Sequence, residues 1–220
     1  MVGDRDLLVL MRAIGDGDHT VTTRLLLATS ELATARLVTN ATTTTSADFF
    51  LAPIHLQVYA GDSALHVAAA AYDAVLARIL LGAGADVRAA NRRGAEPIHA
   101  AVTGVPGSQS WAPERQAAII RCLVEAGADP DATATGGVTP LLRAVRNLCS
   151  AAVRELLDLG ADPTHHNDNG STPLDLARIT TGRGGTGSPE AKVEQAKIIA
   201  MLETAVGGAT ERPNRSVPRG

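Results

Sequence analysis

The amino-acid sequence predicts an all-α solenoid built from stacked helix pairs. Three observations predict it. A four-residue pattern recurs as Ser63-Ala-Leu-His66, Glu96-Pro-Ile-His99, Thr139-Pro-Leu-Leu142 and Thr172-Pro-Leu-Asp175, with starts 33, 43 and 33 residues apart. A second marker follows in register as Gly84-Ala-Asp86, Gly127-Ala-Asp129 and Gly160-Ala-Asp162, and a third, Gly61, Gly94, Gly137 and Gly170, precedes each start by two residues. A fixed period of this length is the mark of a repeat architecture, in which each unit buries its apolar face only against its neighbours.

Each marker has a local physical reading. Pro97, Pro140 and Pro173 fall in a first helical turn, where a missing N–H removes no hydrogen bond. Thr139 and Thr172 stand just before such a turn as N-caps. The glycine of each Gly-Ala-Asp suits a left-handed helix stop, and the turn glycines tolerate positive φ. Ala68, Ala69, Ala100, Ala101, Ala144 and Ala177 lie on the first helix of each pair, where small side chains let neighbours approach. These residues resemble the ankyrin repeat, a β-turn followed by two antiparallel helices with a T-P-L-H-x-A signature. The resemblance implies an ankyrin-repeat solenoid over residues 58–205, in four repeats at about 61–93, 94–136, 137–169 and 170–205. The stretch from Tyr59 to Tyr72 and residues 181–188 also look like a group of bacterial ankyrin-repeat proteins, a resemblance that implies no particular activity.

Two departures interrupt the period. About 10 extra residues surround 104–113 and about 13 surround 181–189, both between the two helices of a repeat. Loops at equivalent places in alternate repeats are expected to project from one edge. Residues 1–57 read as a degenerate N-terminal capping repeat with helices over 6–14 and 20–28, then a polar Thr-rich loop. The apolar, partly alternating residues 49–59 are expected to cover the first exposed face of the solenoid. Residues 206–220, with Arg212, Arg215 and Arg219 among Pro, Gly and Asn, read as a disordered tail.

Composition excludes several classes. Among 220 residues, 45% are hydrophobic and 2% aromatic, with a net charge of −3. That balance offers neither a phosphate-attracting field nor base-stacking platforms, so nucleic acid is not an expected partner. Cys122 and Cys149 lie in apolar helical patterns and read as buried thiols in a reducing compartment, and residues 7–11 are too short an apolar run for a signal peptide or membrane span. A cytoplasmic protein without membrane insertion is expected. Sequons at Asn40 and Asn214 matter only in a secreted protein.

Candidate chemistry is sparse. His66 and His99 occupy the fourth signature position, where the family resemblance implies a structural imidazole bridging repeats; Leu142 and Asp175 replace it elsewhere. His165-His166 stands beside Asn167, Asp168 and Asn169, but adjacent residues of an extended finger point to opposite sides, so shared chelation is poor and a contact surface competes with a solvated loop. Residues 182–188 imitate a phosphate cradle, yet lack the P-loop Lys and a preceding strand. No nucleophile–base pair or metal spacing appears, so no enzyme activity, cofactor, metal or small-molecule substrate is expected.

The leading expectation is a protein-protein interaction module. The ankyrin resemblance places contacts beside the turn glycines and after the Ala-Ala pair, which selects Tyr59, Asp62, Arg92, Arg93, Thr135, Arg146, Asn147, Asp168, Asn169 and Ser171, with the arginines favouring acidic groups. Trp111, in the longer loop, is added as a binding hot spot that equally suits covering its own loop. A structural accessory acting through inserted loops and tail is the second reading. A ligand-binding or catalytic pocket near Trp111 and His55 is a weak third.

Overall fold

The computed structural model describes residues 2–39, 46–108, 111–179 and 187–210. Both sequons, most of the 182–188 cradle and residues 211–220 lie outside the described residues. The chain begins with α1 (Asp4–Gly15) and α2 (His19–Ala28), followed by a short antiparallel hairpin, β1 (Phe50–Leu51) and β2 (Leu56–Gln57). Four helix pairs come next: α3 (Ala64–Ala70) with α4 (Ala74–Gly82), α5 (Pro97–Ala101) with α6 (Pro113–Glu125), α7 (Pro140–Arg146) with α8 (Ser150–Asp158), and α9 (Pro173–Ile179) with α10 (Pro189–Thr210).

The first helices stack as α1, α3, α5, α7 and α9, and the second helices stack as α4, α6, α8 and α10. Their core is aliphatic, with Leu65, Leu76, Leu80, Ile98, Ile119, Ile120, Leu123 and Leu141 fully buried. Removing each such side chain from water contributes about 1.5–3 kcal/mol. Ala68, Ala69, Ala101, Ala144 and Ala177 are buried as well, and their small side chains let the inner helices approach one another.

Capping follows the local signals. Thr139 accepts from the Leu142 N–H at 3.2 Å, and Thr172 accepts from the Asp175 N–H at 3.1 Å while its own hydroxyl donates to the Asp175 carboxylate at 2.7 Å. His66 Nδ1 accepts from the Ser63 N–H and its Nε2 faces the Ala95 carbonyl at 3.0 Å; His99 does the same with the Glu96 N–H and the Val138 carbonyl at 3.1 Å. A ring whose Nδ1 accepts must carry its proton on Nε2, so each neutral imidazole closes its own helix start and ties it to the next repeat. The aspartate of each Gly-Ala-Asp accepts from the N–H two residues on, at Arg88, Asp131 and Thr164, which turns the chain toward the next finger.

Three expectations are corrected. The first face of α3 is covered by α1, whose Leu7, Leu10, Met11 and Ile14 form a buried stripe at helical spacing, while the β1–β2 hairpin packs on α1 instead. The C-terminal helix continues past residue 205 to Thr210, so residues 206–210 are helical and not tail. The extra residues of the second and fourth repeats are partly helical. The first buried core residue comes two residues into α4 (Leu76), six into α6 (Ile119) and nine into α10 (Ile198). Pro113 and Pro189, each followed by Glu, seed these early starts, because proline is preset for the first turn and a carboxylate complements the helix N-terminus. Where no residues are inserted, the inner-to-outer turn is tight, and Tyr72 (φ 55) and Leu148 (φ 56) adopt left-handed backbone there.

Candidate interaction surface

The fingers between repeats form a ladder of backbone hydrogen bonds. Gly61 N–H donates to the Leu37 carbonyl at 2.7 Å, Arg92 to Ala60 at 2.9 Å, Thr135 to Arg93 at 2.8 Å and Asp168 to Gly136 at 3.0 Å. Residues 36–37 thus supply a finger for the capping unit, although no glycine marker announces it. Gly61 is required by space as well as by its φ of +87, since a Cβ there would lie 2.6 Å from Asn91 Cα. Asn91 holds its own finger: its side-chain oxygen accepts from the Arg93 and Ala95 N–H groups at 2.9 and 3.1 Å, and Asn167 does the same for Asn169 and Ser171. Sequence reasoning passed over Asn91 and named Asn167 only as a neighbour of His165-His166, without this role. Their recurrence three residues before the turn glycine was the available signal.

Tyr59, Arg92 and Arg93 come together on adjacent fingers. The Arg92 and Arg93 guanidinium carbons lie 4.8 and 4.6 Å from the Tyr59 ring centroid, which places two cations on one aromatic ring. Both arginines are exposed, and so is Arg146 in the last turn of α7. Among the described residues, none of the three pairs with a carboxylate. By contrast Arg36 is engaged with Asp86 at 2.6 Å and Arg88 with Asp129 at 3.4 Å. Thr135 is exposed on the next finger, where its hydroxyl donates to the Arg93 carbonyl at 2.8 Å. Asp168 and Asn169 are exposed on the last finger and Ser171 is half-buried beside them.

Asp62 and Asn147 belong to the framework instead. Asp62 is buried, accepting from the Tyr59 N–H at 2.7 Å and from the Asn91 amide at 2.8 Å. Asn147 is buried with its amide donating to the Val102 carbonyl at 3.0 Å. Residues beside a turn glycine or after the inner helix face either a partner or the neighbouring repeat, and for these two the neighbour takes the side chain.

Trp111 stands apart from the fingers, on the loop between α5 and α6. Its Nε1–H donates to Gln116 Oε1 at 3.2 Å, and Gln116, fully buried, donates from its amide to Ala101 O, Thr103 O and Tyr72 Oη at 3.1, 3.3 and 3.2 Å. The Tyr72 hydroxyl in turn donates to the Thr103 carbonyl. Gly104 is packed so closely that a Cβ would meet Tyr72 Oη at 2.7 Å and Trp111 Cδ1 at 2.9 Å. The loop therefore folds back onto the solenoid rather than projecting freely, and the indole is held by a buried network. His55 lies on the hairpin, its ring centroid 6.4 Å from that of Phe50.

Groups with chemical potential are muted. Burial pushes the His66 imidazole below the usual histidine range and His99 down to about 4, keeping both neutral. Both cysteines are free and buried; burial pushes the Cys122 thiol up and that of Cys149 up to about 12, so neither is a ready nucleophile. Among the described residues no group of three or more His, Cys, Asp or Glu could hold a metal ion, and no helix is long and apolar enough to cross a membrane.

These features define a helical-repeat protein. Residues 60–92 match the family model for the ankyrin repeat, and residues 123–177 match the model for ankyrin repeats in many copies. The chain is an ankyrin-repeat protein. No curated protein matches it. Ankyrin repeats are in general protein-protein interaction modules, and the family is typically non-catalytic.

Proposed function

We propose that the protein binds an acidic protein segment or surface patch across its fingers and concave face, with Tyr59, Arg92, Arg93, Thr135 and Arg146 as the first contacts and Asp168, Asn169 and Ser171 extending the surface. The observation that carries this reading is the pair of exposed guanidiniums gathered on one Tyr59 ring without a carboxylate partner among the described residues. Stacking orders the two side chains in advance, which lowers the entropy lost on binding, and guanidinium forks match carboxylates bidentately. Asp62 and Asn147 support the fingers from beneath. The reading takes the protein to act as a non-catalytic module in the cytoplasm, without nucleic acid, membrane insertion or small-molecule substrate.

The test is affinity capture from lysate with the wild-type chain and with Arg92, Arg93 and Arg146 changed to Glu. Loss of acidic partners from the variant is expected. Identical partner sets would overturn the assignment of this face.

A further inference from the structure

We infer that the protein carries a second binding site, built from residues outside the fingers: a cleft between the Trp111 loop and the start of α10 that takes an extended, proline-containing peptide segment bearing a basic residue. The cleft measures about 530 Å³. Trp111 and Pro113 line one side, and Pro189, Glu190, Val193 and Glu194 line the other. It exists because two insertions meet. The loop of the second repeat reaches across the tightly turned third repeat until Gly107 lies against Glu190, where a Cβ would be 3.8 Å from Glu190 Cγ. The early start of α10 brings the opposite wall up to it, and Glu194, buried there, accepts from the Ser150 N–H at 3.4 Å at the head of α8.

Three observations point to the occupant. The indole is immobilised through Gln116 and its N–H is already satisfied, so what it offers the cleft is apolar ring surface in a preset orientation. Both walls add proline rings, and Val193 remains 54% exposed. An aromatic and proline-lined surface of this kind suits a polyproline II segment, which needs no ordering of its own backbone and has few donors to satisfy. The charge at the rim is negative: Glu194 is engaged by Lys197 at 2.6 Å, whereas exposed Glu190 has no cation partner among the described residues. Lys192, the nearby cation on the same helix, packs over Gly187 instead, with its Cε 2.9 Å from where a Cβ would sit. A basic residue next to the prolines is therefore the complement.

Trp111 is the only tryptophan of the chain, so its fluorescence reports on the cleft without a label. The probe is the peptide acetyl-Arg-(Pro)6-Arg-amide, with arginine at both ends so that either chain direction can set one against Glu190; it is titrated into the full chain by fluorescence and by calorimetry. Saturable binding is expected. Glu190→Lys should weaken it roughly 10-fold and should instead favour the peptide with Glu at both ends. Replacing the six prolines by alanine should weaken it by at least about 10-fold, while Arg92→Glu with Arg93→Glu should leave it unchanged, which separates this site from the fingers. No saturable signal by either method at millimolar peptide, equal binding of the alanine peptide, or indifference to Glu190→Lys would overturn the inference. So would binding that appears only after residues 211–220 are removed, because the chain's own Pro218 and Arg219 would then be the occupant.

Discussion

Acidification should destabilise this protein well above the pH at which its carboxylates protonate, with His99 as a principal sensor. The ring is fully buried between α5 and the finger of the next repeat, and burial, reinforced by Arg143, holds it down at about 4 against an ordinary 6.5. Its folded value is depressed, so above pH 6.5 the imidazole is neutral in both states and imposes nothing. Below 6.5 the unfolded chain takes up a proton that the folded chain refuses, and stability is lost until pH falls through about 4. At roughly 1.4 kcal/mol per pH unit, the loss from His99 alone between pH 7 and 5 is about 2 kcal/mol. His66 is pushed the same way by burial and adds to it. The assay is urea unfolding at pH 7, 6 and 5, followed by circular dichroism, on the wild type and His99→Gln. The variant should be less stable at pH 7, having lost packing and part of its hydrogen bonding, yet lose about 2 kcal/mol less than the wild type on going to pH 5. Taking the difference isolates the imidazole from other groups that titrate in the window. Parallel pH curves for the two proteins would refute the claim that this ring is held neutral.

Glycine positions with the same backbone sign should separate by space. Gly170→Ala meets no atom within 4 Å and should cost only the left-handed penalty of about 1–2 kcal/mol, whereas Gly61→Ala drives a Cβ against Asn91 backbone and should cost about 3 kcal/mol or more; equal urea midpoints would contradict the finger packing. Gln116→Leu leaves the Trp111 N–H and the buried Ala101 carbonyl without their amide partner, while Tyr72 still serves the Thr103 carbonyl, so it should destabilise by about 1–3 kcal/mol and shift the Trp111 emission maximum; an unchanged spectrum would show that the network does not hold the indole. Cys122 and Cys149 should resist a thiol reagent at pH 8 in the native protein and react together in denaturant; rapid native labelling of Cys149 would deny its burial.

The repeat architecture was legible because its determinants are short-ranged. Threonine, proline and glycine at fixed offsets act on the backbone within a turn of themselves, and the helix starts at Pro97, Pro140 and Pro173 and the turns at Gly61, Gly94, Gly137 and Gly170 stand where that chemistry puts them. The bridging role of His66 and His99 came from the family resemblance rather than from local chemistry, and the structure has Nδ1 serving the local helix start while Nε2 reaches the next repeat. The candidate surface was only half legible. Position relative to the turn glycine brings Tyr59, Arg92 and Arg93 to the fingers, but the same rule selects Asp62 and Asn147, whose side chains the adjacent repeat absorbs.

What the sequence alone determined is thus the order, type and register of the repeat helices. What the tertiary structure decided is everything that passes between repeats: that α1 rather than the hairpin covers α3, that inserted residues lengthen α6 and α10, and that the Trp111 loop crosses the third repeat to meet Glu190. The physical reason is range. A cap or a turn is settled by atoms a few bonds away, whereas the partner of a buried amide, or the meeting of two insertions 80 residues apart, depends on how successive layers stack, which no local pattern records.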